Sequence, residues 1–467
     1  MYLIKNILFA LQLEGYHLWD FLVFIYTHPT FLLLKDSRQK IEWTLKMKGI
    51  AFLGGFLWFL VLLGGILFFK ELFLGVIFFF IFCVTLPLFF ALSCLLLIPI
   101  DSFLKRRIIS RAQHHLKQFP NLVMIGIAGS YGKTTQKHIL SHILSEAFPT
   151  FSPSGTHNTP LGISHDILTG LTADHKVAVI ELGEHYQWDV RELCEIISPN
   201  IGIITGITEQ HLERMGSIET IIDTIYELPE NLAQNGKCFL DTRNIYTKRW
   251  YESRKDLDIN YSDIAQESIT HIECLPEFAG TRFQYNGLTF QTQLIWAHII
   301  GPIIIAYKIA QSLGLSDEII IKAVATIPFV EHRLEVLSNS HTHIRVIDDS
   351  FNGNPEWVKA IIKLFRNTET QGRKIYFTPG LVELGNRSED IHTKIGQQLA
   401  GVFDMILLID NPAARNIHEG LRSAGYDENK IIVYPNTVTA HSALSTVLKT
   451  HDTIVFQNDW TDNLFWK

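Results

Sequence analysis

The sequence predicts an α/β protein. An apolar helical hairpin near the N-terminus precedes two successive units in which strands and helices alternate. Three observations carry this reading. Apolar runs of strand length recur at 122–127, 177–182, 201–205 and 237–240, separated by helical patterns. The same alternation returns at 343–348, 373–378, 405–409, 431–434 and 453–457. Two long uncharged stretches lie between residues 50 and 100.

Composition is uneven along the 467 residues. The mean hydropathy of +0.16 is positive although only 47% of residues are hydrophobic. Residues 1–117 hold 12 Lys/Arg against 6 Asp/Glu, which leaves 28 against 41 for the remainder. A basic, apolar first part therefore precedes an acidic body. Aromatics at 12% with a net charge of −7 exclude intrinsic disorder. A pI near 6.3 disfavours a globally basic nucleic-acid binder, and no nucleic-acid partner is expected.

Ile50–Phe69 carries no charge over twenty residues, Lys70 and Glu71 interrupt, and Leu72–Ile100 carries none over 29. A membrane span needs about 20 apolar residues. The expectation is a transmembrane hairpin over 50–100, turning at Lys70-Glu71 and kinked at Pro87. Buried core helices are the alternative. Lys35, Arg38, Lys40, Lys46 and Lys48 precede it, and Lys105, Arg106, Arg107 and Arg111 follow it. Both flanks then face the cytoplasm. Residues 1–49, with Lys5, Glu14 and Asp20 among apolar neighbours, read as interfacial or juxtamembrane helices, or as a third span. The five cysteines (83, 94, 194, 238, 274) show no metal-ligand spacing and read as small buried hydrophobes.

The body opens on NLVMIGIAGSYGKTTQKHIL (121–140). A buried strand, a glycine-rich turn and a helix start are the context of a phosphate loop. Gly129 and Gly132 let the backbone curl so that its N–H groups face phosphate oxygens. Ser130 and Thr135 lie in the same loop. Lys133 brings a positive charge to the β/γ-phosphates and Thr134 a hydroxyl for Mg²⁺. The spacing departs from GxxxxGK[ST], because Ile127 stands where that pattern has Gly.

GIAGSYGKTT resembles the nucleotide loop of the Mur ligase family, ATP-dependent amide-bond ligases of cell-wall precursor synthesis. Further segments resemble the branch that adds D-alanyl-D-alanine, in family order: SGTHNTPLGIS (154–164), VIELGEH (179–185), SPNIGIITGITEQHLERMGS (198–217), EHRLEVL (331–337), VIDDSFNGNP (346–355) and RKIYFTPGLVELG (373–385). The likeness covers roughly residues 118–467.

It implies a central ATP-binding domain over 101–333, a doubly wound P-loop unit, and a smaller Rossmann-like domain over 334–467. ATP and Mg²⁺ are the implied cofactors. The implied partners are a nucleotide-sugar or lipid-linked peptide precursor and an amino acid or dipeptide. The apolar hairpin, which usual members of that branch lack, gives the expected location as the bacterial inner membrane, with the soluble domains in the cytoplasm. Lys133, Glu181 and His211 carry the chemistry by resemblance, with Thr134, Glu181 and His211 as metal ligands. The apolar run before Glu181 supports its place at a strand's C-terminal end; a surface glutamate and a structural histidine are the plain alternatives. Asn158 and Thr159 would contact the acceptor, or simply shape a turn. His298, Arg333 and Asp348 would contact ATP, the last two alternatively forming a surface ion pair. Asn352 and Asn354 shape the DSFNGNP loop or join the site.

Two positions depart from the family. A lysine that becomes carbamylated and holds a second metal usually follows the motif histidine by about fourteen residues. Ile225 stands there, and an alternative acid such as Asp223 or Glu227 could substitute. Near the adenine, Ile299 and Pro302 replace two asparagines after His298. Three readings follow: a membrane-tethered ligase, a ligase with a different acceptor or polymer product, or a non-catalytic scaffold. Each lost amide hydrogen bond costs about 1 kcal/mol, so weakened or altered nucleotide preference is expected. Equilibrium dialysis of ATP against the soluble portion checks this, and submicromolar affinity contradicts it.

Overall fold

The computed structural model describes residues 2–29, 31, 41–68, 85–155, 157–208, 215–254, 260–295, 297–350, 353–382, 384 and 387–458. The chain forms two units, one up to Ile108 and one from Ile109 onward.

The first unit is helical: α1 (Tyr2–Leu13), α2 (Leu18–Thr27), α3 (Leu45–Phe68) and α4 (Leu86–Leu116). Ile7, Leu8 and Leu11 of α1 and Phe21 and Phe24 of α2 are buried with Ile50 of α3 and Phe90 of α4. A small residue sets the α3–α4 approach, because a Cβ on Gly54 would stand 2.6 Å from the Phe90 ring. The Ser93 hydroxyl donates to the Ile50 carbonyl at 3.1 Å beside it. By length and composition, α3 and α4 can each cross a membrane. The expected turn at Lys70-Glu71 lies outside the described residues. The described part of α4 starts at Leu86, so Pro87 falls in its first turn, where a missing N–H costs nothing. The proline inside this helix is Pro99. The helix runs past the apolar stretch to Leu116 and carries Lys105, Arg106, Arg107 and Arg111 on its extension.

In the second unit, β1 (Val123–Ala128), α5 (Lys133–Ser145), β2 (Thr150–Phe151), α6 (Pro160–Gly170), β3 (Val177–Glu181), α7 (Asp189–Ile197), β4 (Ile201–Ile204), α8 (Ile218–Glu230), β5 (Lys237–Leu240), α9 (Ile245–Ser253) and β6 (Asn260–Asp263) follow one another. The strands form a parallel sheet in the order β2-β3-β1-β4-β5-β6. Buried on both faces, the central strands read as unbroken apolar runs. The order reverses beside β1, which is where doubly wound sheets bind ligands.

An antiparallel sheet follows, of β7 (Ile269–Cys274), β8 (Thr281–Tyr285) and β9 (Leu288–Thr292). Its hairpin turns at Asn286 (φ 50°) and Gly287 (φ 75°), as the Asn-Gly pair predicts. Helices α10 (Ile300–Ser312) and α11 (Asp317–Ala325) then lead to the last part.

There, β10 (Glu335–Ser338), β11 (Arg345–Asp349), α12 (Pro355–Asn367), β12 (Lys374–Thr378), α13 (Ser388–Leu399), β13 (Met405–Ile409), α14 (Pro412–Ser423), β14 (Ile431–Tyr434), α15 (Thr437–Val447) and β15 (Thr453–Gln457) alternate. Their sheet order is β10-β11-β15-β12-β13-β14, with only the edge strand β10 antiparallel. Asn354 caps α12 by accepting from the Trp357 N–H at 2.9 Å, with Pro355 in the first turn. The four described cysteines are free thiols.

Ile225 sits on the buried face of α8 with no exposed surface. A lysine there would place an uncompensated charge in the core. Ile225→Lys is therefore expected to lose about 3–5 kcal/mol of stability, read as a lower guanidinium midpoint by circular dichroism. A variant as stable as the parent contradicts this placement.

Candidate active site

The parallel register brings three strand ends to one edge. Ile127 of β1 pairs with Glu181 of β3, and Ala128 pairs with Ile204 of β4. The loop after β1 is strapped to the end of β4. The Thr205 hydroxyl lies 2.7 Å from the Tyr131 carbonyl and 3.2 Å from that of Ala128. The Tyr131 N–H donates to the Gly206 carbonyl at 3.2 Å. Only glycine fits at 129, where φ is 142° and a Cβ would stand 2.1 Å from Thr205 Oγ1. Gly132, at φ 83°, then turns the chain into α5. Ser130 is buried and donates to the Thr208 carbonyl at 3.3 Å.

The first turn of α5 aims its side chains at β3. Lys133 Nζ donates to the Gly129 carbonyl at 2.5 Å and to Glu184 Oε1 at 2.7 Å. The Thr134 hydroxyl donates to Glu181 Oε2 at 3.0 Å. Asn158 Nδ2 donates to Glu181 Oε1 at 3.3 Å. Lys137 Nζ binds the Pro153 and Gly155 carbonyls at 3.0 and 2.6 Å and lies 3.9 Å from Glu181. Lys133, Thr134, Asn158 and Glu181, each singled out from the sequence, thus meet in one half-buried cluster around the buried Glu181. Thr134 and Glu181 offer the oxygen ligands that a hard divalent cation takes.

The remaining expected residues are placed as follows. Thr159 caps α6, accepting from the Gly162 N–H at 3.2 Å. Arg333 is half-buried; desolvation lowers its pKa, opposed by Asp349 and Glu181. Asp348 accepts from His332 Nδ1 at 2.7 Å and from the Ser350 N–H at 3.0 Å. The buried acid of β11 is its neighbour Asp349, which accepts from Trp357 Nε1 at 2.6 Å. Burial pushes the Asp349 carboxyl well above the usual carboxylate range. His298 meets Trp357 edge-on with ring centroids 4.2 Å apart, and burial lowers its pKa to about 3. It is therefore a neutral imidazole at physiological pH. His211 and Asn352 lie outside the described residues.

Neither substitute proposed for the missing lysine is available. Asp223 is exposed and lies 4.0 Å from Arg254. Glu227 accepts from the Trp188 and Arg191 N–H groups at 3.2 and 2.8 Å, closing the start of α7. Sequence reasoning missed Glu184, whose only signal was its place three residues past the end of the β3 run. It also missed Gln136, whose side chain donates to the Pro302 carbonyl at 3.2 Å.

Beside the loop opens a cleft of about 1030 Å³. Gly132, Thr135 and Gln136 line one wall, His298 and Pro302 another, and Trp357 faces them from α12. Domain models for the "Mur ligase middle domain" and the "Mur ligase, glutamate ligase domain" match residues 127–299 and 332–457.

The chain belongs to the Mur ligase family.

A UDP-N-acetylmuramoyl-tripeptide--D-alanyl-D-alanine ligase of Buchnera aphidicola is 28% identical over 284 residues, covering 60% of this chain and 61% of that protein. The chain thus spans about three fifths of the length of this Mur ligase relative. MurF of Acinetobacter baumannii superposes with a TM-score of 0.67 at 23% identity, over 77% of this chain and 78% of that one. MurF of Thermotoga maritima, solved in complex with ADP, gives 0.63 at 22% identity, over 76% and 80%. At these identities the two structures establish a shared Mur ligase fold.

Burial raises the Glu184 pKa to about 7, against the opposing pull of Lys133. The stability this carboxyl contributes is full below its unfolded value near 4.5 and is lost as pH rises through about 7. Between pH 5 and pH 8, the parent should lose on the order of 2 kcal/mol relative to Glu184→Gln. Unfolding of both proteins at the two pH values measures it, and parallel pH profiles contradict it.

Proposed function

We propose that the chain is an ATP-dependent amide-bond ligase of the MurF type, joining D-alanyl-D-alanine to a nucleotide-sugar-linked tripeptide in peptidoglycan precursor synthesis. The observation that carries this reading is the meeting of Thr134 with Glu181 and of Lys133 with Glu184 at the sheet edge, inside a Mur ligase middle domain. The named activity of the Buchnera relative supplies the acceptor and the dipeptide.

The chemistry follows from the charges. An oxygen of the acceptor carboxylate attacks the γ-phosphorus of ATP, the bond to the bridging oxygen breaks, and ADP leaves. The dipeptide amine then attacks the acyl-phosphate carbon, phosphate departs, and the amine's proton passes to solvent. Both steps crowd negative groups together. Lys133 meets the β/γ-phosphates, with the N–H groups at the start of α5 and the adjoining loop. Arg333, whose charge is felt by Glu181 and Asp349, adds positive charge for ATP. Asn158, already bonded to Glu181, and Thr159 face the acceptor.

The Thr134 hydroxyl, the Glu181 carboxylate and His211 are the groups that would hold Mg²⁺, which when bound would neutralise phosphate charge. His298 and Trp357 flank the nucleoside in the cleft, and Asp348 holds the ribose side through the β11 edge. Helices α3 and α4 anchor the chain in the bacterial inner membrane. Their basic flanks keep the catalytic unit on the cytoplasmic side, where ATP is supplied.

The test is phosphate release by membranes carrying the full chain, washed with alkaline carbonate. Release should require the nucleotide-sugar tripeptide, the dipeptide and ATP together. Lys133→Ala should lower it by about a hundredfold or more. Release that ignores either co-substrate, or that survives in Lys133→Ala, overturns the reading.

A further inference from the structure

Glu184 is the buried charge that the proposed reaction leaves without a task. Strand β3 ends at Glu181, and the chain turns at once. The Gly183 N–H donates to the Asn158 carbonyl at 2.9 Å, and a Cβ at 183 would stand 2.7 Å from that oxygen. This tight turn sends Glu184 back into the site that Glu181 occupies. The residue is only 2% exposed. One carboxylate oxygen accepts from Lys133 at 2.7 Å. The other, Oε2, is buried and has no hydrogen-bond partner among the described residues.

A buried carboxylate oxygen without a donor is costly, and such costs are retained where something else satisfies the group. Lys133 already donates to the Gly129 carbonyl and to Glu184, so nucleotide phosphate competes with this carboxylate for its charge. When phosphate takes the lysine, Glu184 is left as a bare buried acid, and it already repels Glu181. A divalent cation removes both problems, since hard cations collect carboxylate oxygens and relieve repulsion between paired acids. Other nearby acids are committed elsewhere. Asp223 faces Arg254, Glu227 closes the start of α7, and Asp349 accepts from Trp357.

We propose that Glu184 is a second carboxylate ligand for the divalent cation beside Glu181, held on Lys133 until nucleotide phosphate claims that lysine. The proposal rests on the ligase reading for the arrival of nucleotide. The cation site itself is testable without turnover. Glu184 in this account touches the cation rather than merely orienting Lys133, and the two roles give different binding behaviour.

The experiment measures Mn²⁺ binding to the purified full chain by the electron paramagnetic resonance signal of free Mn²⁺. Lys133→Ala should bind Mn²⁺ without nucleotide about ten times more tightly than the parent, because Glu184 is released. Adding Glu184→Gln to that variant should erase the gain. In the parent background, Glu184→Gln should weaken Mn²⁺ binding with a non-hydrolysable ATP analogue by about ten- to a hundredfold. Its affinity for the analogue without metal should not fall, because phosphate no longer competes with Glu184 for Lys133. This second measurement stands even where the double variant fails to fold. Equal Mn²⁺ affinity in Lys133→Ala with and without Glu184→Gln overturns the proposal, as does an unchanged ternary complex. Mn²⁺ binding that follows Glu184 in a chain without Lys133-dependent phosphate release would overturn the ligase reading and leave this assignment intact.

Discussion

The constraint on which the catalytic unit depends is the parallel pairing of β1 with β3 and β4. It ends three strands at one level, so the loops after them must share one small volume. The loop after β1 carries Lys133 and Thr134, the end of β3 carries Glu181 and Glu184, and the loop after β4 supplies Thr205. No long-range folding is needed to assemble the cluster once the sheet forms. The glycine at 129 is required because Thr205 is packed against it, and the Thr205 hydroxyl then fixes the loop's carbonyls. The phosphate-binding shape is thus built in before any ligand arrives, which lowers the ordering cost of binding.

Charge is the second organising quantity. Half-buried Lys133 and Arg333 and buried Lys137 lie among the buried acids Glu181, Glu184 and Asp349. Buried ions are tolerated only when paired and hydrogen-bonded. Glu181 meets this rule fully, with donors from Thr134 and Asn158 and Lys137 nearby. Glu184 meets it by half, and its raised pKa records the shortfall. The site is therefore balanced for anionic ligands to enter, and its unsatisfied oxygen marks where that balance shifts.

Much of the fold was legible because the central strands are buried on both faces and so announce themselves as apolar runs. The strands that escaped notice are short or polar edge strands. Strand β2 has two residues, β6 reads NYSD, and β10 pairs antiparallel at the rim. Their pairing is decided by neighbours rather than by their own pattern. In the site, Lys133, Thr134 and Glu181 were legible because backbone geometry fixes where a loop-helix junction and a strand end must point. Glu184, Gln136 and Asp349 were not, since each owes its place to a tight turn or a partner distant in sequence. Asp348 and Asp349 differ by one position on a strand, and alternation alone sends one to Arg333 and the other to His332.

The substitution at 225 and the acid at 184 are then two sides of one physical problem. Ile225 fills a core position on α8, beside the Tyr226 ring stacked on Trp250 at 3.6 Å. At this position the helix presents an apolar side chain to the core. Any further negative charge near Glu181 must come from an element already at that edge, and the loop after β3 is the shortest route. Glu184 lies on that route, three residues beyond Glu181, and its free oxygen is buried in the same cluster. On the proposal that Glu184 binds the cation, the helix keeps its packing and the loop supplies the charge.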